Sequence, residues 1–125
     1  MKLYAGKKYL RSTKDLQKAL VCASSSLYER IRSYEAQNIS FENIYNDDKL
    51  KYDKHGRFYT YKAHKQNMQI RMLYTYIVID GMAVIIIADF AVKKKNNKKY
   101  IKSFDSVNTI DPMTIYHAST CVYSS

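Results

Sequence analysis

Two nearly continuous apolar runs in the middle of the chain constrain its fold more than any other feature. Residues 68–79 and 82–92 are rich in Ile, Val, Met and aromatic side chains, a composition typical of strands that are covered on both faces. Asp80-Gly81 joins the runs, and Asp-Gly between two apolar runs is a strong signal for a two-residue hairpin turn. We therefore expect two long antiparallel strands. A membrane span is not expected, because Asp80, Gly81 and Asp89 interrupt the apolar stretch.

A third strand is predicted just before the hairpin. From Arg57 to His64 the side chains alternate with a period of two, and Lys65-Gln66-Asn67 has the composition of a turn. Alternation places Phe58, Thr60, Lys62 and His64 on one face of this strand. The sequence thus predicts a meander of three antiparallel strands over about 57–92.

The residues before the sheet favour helix. Apolar side chains recur every three or four residues between 12 and 37, which is the pattern of a helix with one buried face. Ser24-Ser25-Ser26 interrupts this stretch, and serine hydroxyls compete for backbone hydrogen bonds. We expect two helices, at about 13–23 and 27–37, arranged either as a hairpin or as one kinked helix, with a single long helix as the alternative.

The remaining segments complete an α+β domain. A short helix is predicted at about 97–108, Pro112 is expected to end regular structure, and residues 113–125 are expected to be loosely held. A chain of 125 residues fits one domain. It would consist of a helical part (12–37) packed on a small antiparallel sheet (57–92), a basic loop with a short C-terminal helix (93–110) and a tail (111–125).

Positive charge is concentrated in the middle of the chain. The formal net charge is +10, of which residues 51–102 carry +9, residues 1–50 carry +3 and residues 103–125 carry −2. Such a field favours an anionic partner, nucleic acid above all; the bland alternative is a solvated basic surface. No apolar run follows the first lysines, so a signal peptide is not expected and the protein is expected in the cytoplasm.

Several kinds of chemistry find little support in the sequence. The three histidines (His55, His64 and His117) are scattered, and Cys22 and Cys121 lack metal-ligand spacing. No metal or other cofactor is therefore expected. Cys22 lies beside the apolar stripe and is expected to be a buried, unreactive thiol.

Basic and aromatic side chains in and after the strands resemble those of the RelE/HigB superfamily of bacterial toxins. In that family a Tyr-Arg-apolar-apolar-Tyr strand is followed by an apolar strand, a basic pair and a tyrosine about six residues later. Arg71 and Tyr74 match the first pattern, and Lys94 and Tyr100 match the second. Lys62 and His64 lie where the family has basic residues on the preceding strand. Two departures are Lys94, where the family often has Arg, and Val92, where it has Gly.

The resemblance implies a metal-independent endoribonuclease that cuts messenger RNA on the ribosome and is neutralised by an antitoxin protein. In such a reaction the ribose 2′-hydroxyl attacks the adjacent phosphate. Arg71 and Lys94 would hold the phosphate, Lys62 or Tyr100 would act as the base, and His64 or His117 would act as the acid. The residues expected to contact the RNA are His64, Lys93, Lys95, Lys98 and Lys99.

Two other functions remain open at this point. The same basic sheet could belong to a non-enzymatic protein of a phage or mobile element that binds nucleic acid or a host protein. It could also belong to the branch of the superfamily that poisons DNA gyrase, in which the ribonuclease residues are missing.

Overall fold

The computed structural model describes residues 1–41, 47, 50, 58–94 and 111–124. Within these ranges the chain is α+β, with five strands and three helices. In chain order they are β1 (Lys2–Ala5), α1 (Lys7–Leu10), α2 (Lys14–Ala36), β2 (Tyr59–Lys65), β3 (Met68–Ile79), β4 (Met82–Lys94), α3 (Pro112–His117) and β5 (Thr120–Ser124).

The five strands form one mixed sheet in the order β2-β3-β4-β1-β5. The predicted meander is confirmed, because β3 pairs antiparallel with both β2 and β4. The sheet is wider than predicted: β1 pairs parallel with β4, and β5 pairs antiparallel with β1.

Both hairpin turns have the backbone that a tight connection requires. Asp80 and Gly81 have φ of 51° and 78°, and Gln66 and Asn67 have φ of 54° and 60°. Positive φ at both central residues defines the type I′ turn, whose twist matches that of the flanking strands. The predicted Asp-Gly hairpin is therefore confirmed, with Ile79 paired to Met82.

A β-bulge in β4 reverses the direction in which its side chains point. Leu73 pairs with Asp89 but Tyr74 pairs with Ile87, so Ala88 is an extra residue on β4. Before the bulge the odd-numbered Ile85 and Ile87 contact the main core. Beyond it the even-numbered Phe90 and Val92 do so. An extra residue shifts a period of two by one position, so every later side chain changes face.

The helical stretch forms one helix of 23 residues, α2, so the prediction of two helices is wrong and its alternative is right. The Ser24 hydroxyl donates to the Leu20 carbonyl, four residues earlier, at 2.7 Å. It also lies 2.9 Å from the Tyr9 hydroxyl. The Leu20 carbonyl is also the acceptor that helix geometry assigns to the Ser24 N–H, so the hydroxyl shares this acceptor through its second lone pair. With the Tyr9 hydroxyl as a further partner, Ser24 is accommodated inside the helix without ending it.

The main core lies between α2 and one face of the sheet, which we call the α2 face. Leu20, Leu27 and Ile31 of α2 are buried there against Ile70 of β3 and Ile85 of β4. A smaller cluster on the opposite face joins the side chains Phe58, Leu73, Ala91, Ala88 and Ile115. The short helix α3 thus covers part of the face that α2 leaves open.

The prediction that Pro112 ends regular structure is wrong. Pro112 is the first residue of α3, where the missing N–H costs nothing because the first turn has no internal partner for it. Asp111 caps this helix by accepting a hydrogen bond from the Met113 N–H at 2.8 Å. The tail is not loosely held either, since its last residues form β5 at the sheet edge.

Two further predictions have different outcomes. Cys22 is exposed, so the prediction that it is buried is wrong. It lies next to the exposed Val21, on the side of α2 that faces away from the core. The predicted helix at 97–108 lies outside the described residues.

Candidate nucleic-acid interface

Strand register brings four of the predicted site residues together on the face opposite α2. Lys62 of β2 pairs directly with Arg71 of β3, and His64 pairs with Gln69. Gln69 also pairs with Lys93 of β4. These five residues (Lys62, His64, Gln69, Arg71 and Lys93) form what we call the basic sheet face. Side chains directly opposite one another on a sheet have Cβ atoms about 5 Å apart, so these groups are close neighbours.

The basic sheet face combines access to solvent with a buried apolar neighbour. His64 is exposed, and Lys62, Arg71 and Lys93 are half-buried. Arg71 lies opposite the small Ala91, which belongs with Leu73 to the apolar cluster on this face. Long cationic side chains can rest their methylene groups on such a surface while their charged ends reach solvent.

Lys93 reaches this face because of the bulge at Ala88. Without the extra residue, alternation from Ile85 and Ile87 would point position 93 toward α2. With it, Lys93 lies in register with Gln69, and Lys94 lies in register with Met68.

Asp89, the acidic residue of β4, forms an ion pair with Lys8 of α1. Asp89 is nearly buried, and its carboxylate oxygen Oδ1 accepts hydrogen bonds from the Lys8 amine at 2.5 Å and the Phe90 N–H at 2.8 Å. The Lys8 amine also donates to the Phe90 carbonyl at 2.7 Å and lies 4.2 Å from the centre of the Phe90 ring. Lys8 therefore balances the charge of Asp89 and ties α1 to β4.

Other predicted site residues lie outside the described part of the chain. They are the Lys94 side chain together with Lys95, Lys98, Lys99 and Tyr100. Their roles stay predictions. His117 is described, and it lies in α3 beside the Tyr116 ring, with the ring centres 5.5 Å apart.

Two features of the molecule were not predicted from the sequence. Tyr4 of β1 stacks on Tyr116 of α3, with ring centres 4.9 Å apart. On the α2 face, Arg30 and Tyr34 meet the buried Asp47. Both depend on contacts between residues far apart in the chain, for which spacing along the sequence gives no signal.

Comparison of the chain with protein-family models, curated proteins and solved structures finds no match. Within the described ranges, none of the helices has the length and apolar character needed to cross a membrane.

Proposed function

We propose that this protein binds single-stranded RNA on the basic sheet face and cleaves it without a metal ion, in the manner of a RelE/HigB toxin. The observation that carries the proposal is the direct pairing of Lys62 with Arg71, with His64 and Lys93 one pair further along the same face. Two cationic side chains that are close neighbours on one face of a sheet can contact the same phosphate group.

The residue types suit a phosphodiester ligand. The planar guanidinium of Arg71 can donate two parallel hydrogen bonds to phosphate oxygens, and the Lys62 and Lys93 amines supply point charges. Most of the affinity for RNA comes from such contacts to the backbone. Three cations along one open face can follow successive phosphates of an extended strand.

The same groups can be assigned roles in strand cleavage. The ribose 2′-oxygen forms a bond to phosphorus while the bond from phosphorus to the 5′-oxygen breaks. Lys62 or Tyr100 accepts the 2′-proton as the base, and His64 donates a proton to the leaving 5′-oxygen as the acid. Arg71 and Lys93 stabilise the negative charge that builds up on the phosphorane oxygens. The products are a 2′,3′-cyclic phosphate and a 5′-hydroxyl.

The arrangement of the elements supports the resemblance at the level of layout. A first strand, β1, joins the sheet beside β4, and helix α2 precedes the β2–β4 meander. Two features differ from the expected layout. The two helices expected at about 13–23 and 27–37 are the single helix α2, and β5 adds a strand at the sheet edge.

A cleavage assay with purified protein tests the proposal. Wild type is incubated with end-labelled single-stranded RNA in the presence of a metal chelator. We expect fragments that end in cyclic phosphate. Arg71→Ala should weaken RNA binding at least tenfold, and His64→Ala should slow cleavage far more than it weakens binding.

The matched control removes two cations from the other side of the molecule. Lys14→Ala with Lys18→Ala changes exposed residues of α2 and should leave both binding and cleavage near wild type. RNA binding with no cleavage, either of free RNA in this assay or of ribosome-bound RNA in cells, would refute the nuclease part of the proposal. Equal losses in the control and the Arg71 variant would refute the interface itself.

Ribosome dependence is tested in cells. The wild-type protein and the Arg71→Ala variant are expressed in a bacterium, and the 5′ ends of cellular RNA are mapped. Cuts that fall in phase with codons, and that disappear in the variant, are expected. Growth arrest without new RNA ends would contradict the proposal and point to DNA gyrase as the target.

A further inference from the structure

A polar cavity lies on the α2 face, away from the basic sheet face. Its volume is about 720 Å³, and it is formed between α2 and the end of β2. Ser26, Arg30, Ser33 and Gln37 line its helical wall, with the spacing of one helix face. Tyr61 and Lys65 line the strand wall. Since Lys62 and His64 alternate with Tyr61 and Lys65, the two sites lie on opposite faces of the sheet.

Arg30 is held in a defined position at this cavity. Its Nε donates to the Asp47 oxygen Oδ2 at 2.6 Å, and the Tyr34 hydroxyl donates to the same oxygen at 2.9 Å. The Asp47 side chain is 1% exposed, whereas that of Arg30 is 40% exposed. A buried carboxylate therefore orients a guanidinium whose Nε is already used. Among the described residues, the four N–H groups on its terminal nitrogens are not used in a hydrogen bond, and they can donate to a ligand.

The Asp47 carboxyl stays ionised in this setting. Burial by itself raises its pKa, but the hydrogen bonds from Arg30 and Tyr34 outweigh that effect and hold the pKa below its usual range. The same contacts raise the pKa of the Arg30 guanidinium. The pair persists at neutral pH, so the orientation of Arg30 persists with it.

Lys65 adds a second cation to the cavity. It is half-buried at the end of β2, and among the described residues it forms no ion pair. Asp47 balances one of the two positive charges, so the described lining of the cavity carries a net positive charge. The neutral side chains around it (Ser26, Ser33, Gln37 and Tyr61) are hydroxyls and an amide that can both donate and accept hydrogen bonds.

We infer that this cavity binds a small phosphorylated molecule with a hydroxyl-bearing body, its phosphate held by Arg30 and Lys65. A preoriented guanidinium and an ammonium suit phosphate oxygens. Hydroxyl and amide side chains suit a sugar. The volume lies within the range of small-molecule sites. Nucleotides and sugar phosphates share this chemistry, and the site is independent of RNA binding on the opposite face.

Calorimetric titration of the full chain tests the inference and separates the two sources of ligand. The probes are AMP, ribose 5-phosphate, inorganic phosphate and uncharged adenosine. We expect AMP or ribose 5-phosphate to bind more tightly than inorganic phosphate, and adenosine not to bind; inorganic phosphate that binds as tightly as both would overturn the hydroxyl-bearing body. Tighter binding of AMP would indicate a nucleotide, and equal or tighter binding of ribose 5-phosphate would indicate a sugar phosphate. Failure of all three phosphorylated probes to bind would overturn the inference.

Two variants and two controls locate the binding. Lys65→Gln and Arg30→Gln should each lower the affinity at least tenfold. Arg32→Gln, an exposed residue two positions along the same helix, should not. Lys62→Ala tests independence and should leave this affinity unchanged even if RNA binding is lost.

A loss of binding in these variants can be distinguished from a loss of folding. Lys65 forms no ion pair among the described residues, so Lys65→Gln should fold even if Arg30→Gln does not, and circular dichroism checks this. Binding that survives in Lys65→Gln would overturn the assignment. Binding that falls equally in Arg32→Gln would also overturn it, because it would reflect net charge alone.

Discussion

At the scale of single residues, the buried carboxylates of Asp47 and Asp89 each bind a cationic side chain from a helix. Asp47 accepts hydrogen bonds from Arg30 and Tyr34 of helix α2. Asp89 accepts a hydrogen bond from the Lys8 amine, and this contact ties α1 to the sheet. In both cases removal of one partner leaves a buried carboxylate with fewer hydrogen bonds, which costs more than the lost bond itself contributes.

Asp47→Asn should lower the free energy of unfolding at pH 7 by about 1–3 kcal/mol, because the hydrogen bonds to Arg30 and Tyr34 lose their charged acceptor. The pKa of Asp47 is lowered in the folded state. Its contribution is therefore complete above the unfolded pKa, about 3.9, and is lost as the pH falls through the folded pKa. Urea denaturation at pH 7, 4 and 3 should show the two proteins converging in acid.

The control for this experiment is Asp15→Asn. Asp15 is an exposed acid in the first turn of α2, and its replacement should change the free energy of unfolding by less than about 0.5 kcal/mol. A gap between wild type and Asp47→Asn that stays constant down to pH 3 would contradict the role given to the Asp47 charge.

Lys8→Ala should destabilise the protein by about 1–3 kcal/mol, because Asp89, 6% exposed, loses its cation. Lys7→Ala is the matched control, since Lys7 is an exposed lysine in the same turn and should change the stability by less than about 0.5 kcal/mol. Chemical denaturation at one pH measures both variants. Combining Lys8→Ala with Asp89→Asn should cost less than the two single losses together, and strict additivity would show that the pair is not coupled.

At the scale of elements, the β3–β4 hairpin is the part of the fold that is most strongly encoded locally. Its turn combines Asp80 with Gly81 at φ of 78°, and the long strands on either side carry most of the apolar side chains of the sheet. Among the described residues, no atom lies within 4 Å of the position that a Cβ on Gly81 would take. Any cost of a side chain there is therefore a cost of backbone conformation and not of crowding.

Gly81→Ala should lower the free energy of unfolding by about 1–2 kcal/mol, because a Cβ disfavours the left-handed backbone. Gly6→Ala is the control: this site is equally uncrowded, but its φ is −90°, which any residue adopts. Thermal denaturation should show a lower midpoint for Gly81→Ala and a midpoint near wild type for Gly6→Ala. Equal midpoints for the two variants would mean that the turn backbone is not a source of strain.

The elements also show how much the sequence predicts. The meander and the helical stripe follow from periodicity and from Asp80-Gly81, which are local signals. Strands β1 and β5 have four and five residues and depend on pairing with distant segments, so periodicity could not find them. Likewise, Ser24 breaks a helix only where its hydroxyl has no better partner, and Tyr9 and the Leu20 carbonyl supply such partners.

The candidate site was predictable to the same degree. Alternation alone placed Lys62 and His64 on one face of β2. The pairing of Lys62 with Arg71 required the register, and the position of Lys93 required the bulge at Ala88. A bulge of one residue leaves no clear trace in an apolar run such as Ala83–Val92. Arg30 and Tyr34 lie four residues apart on one face of α2, but no spacing in the sequence connects that face with Asp47.

At the scale of the whole molecule, the described positive charges of the sheet are concentrated at one end of the β2–β4 meander. The net charge is +10, yet residues 72–92 contain no lysine or arginine. Arg71 and Lys93 flank this stretch, and the strand pairing returns both to the same end of the sheet. The described cations of β2, β3 and β4 are thereby gathered around one end of the β2–β4 meander, where an extended anion could reach several of them at once.

This concentration of positive charge predicts how RNA binding should depend on salt concentration. Each phosphate neutralised on a single strand contributes a slope of about −0.7 to the plot of log K against log salt concentration. Removal of two contacting lysines with Lys62→Ala and Lys93→Ala should therefore make the slope shallower by about 1.4, as measured by fluorescence anisotropy between low and moderate salt. Lys14→Ala with Lys18→Ala removes the same charge from α2 and should leave the slope unchanged. A steep slope that persists in the first variant would place the RNA on another surface, because net charge alone would affect both variants equally.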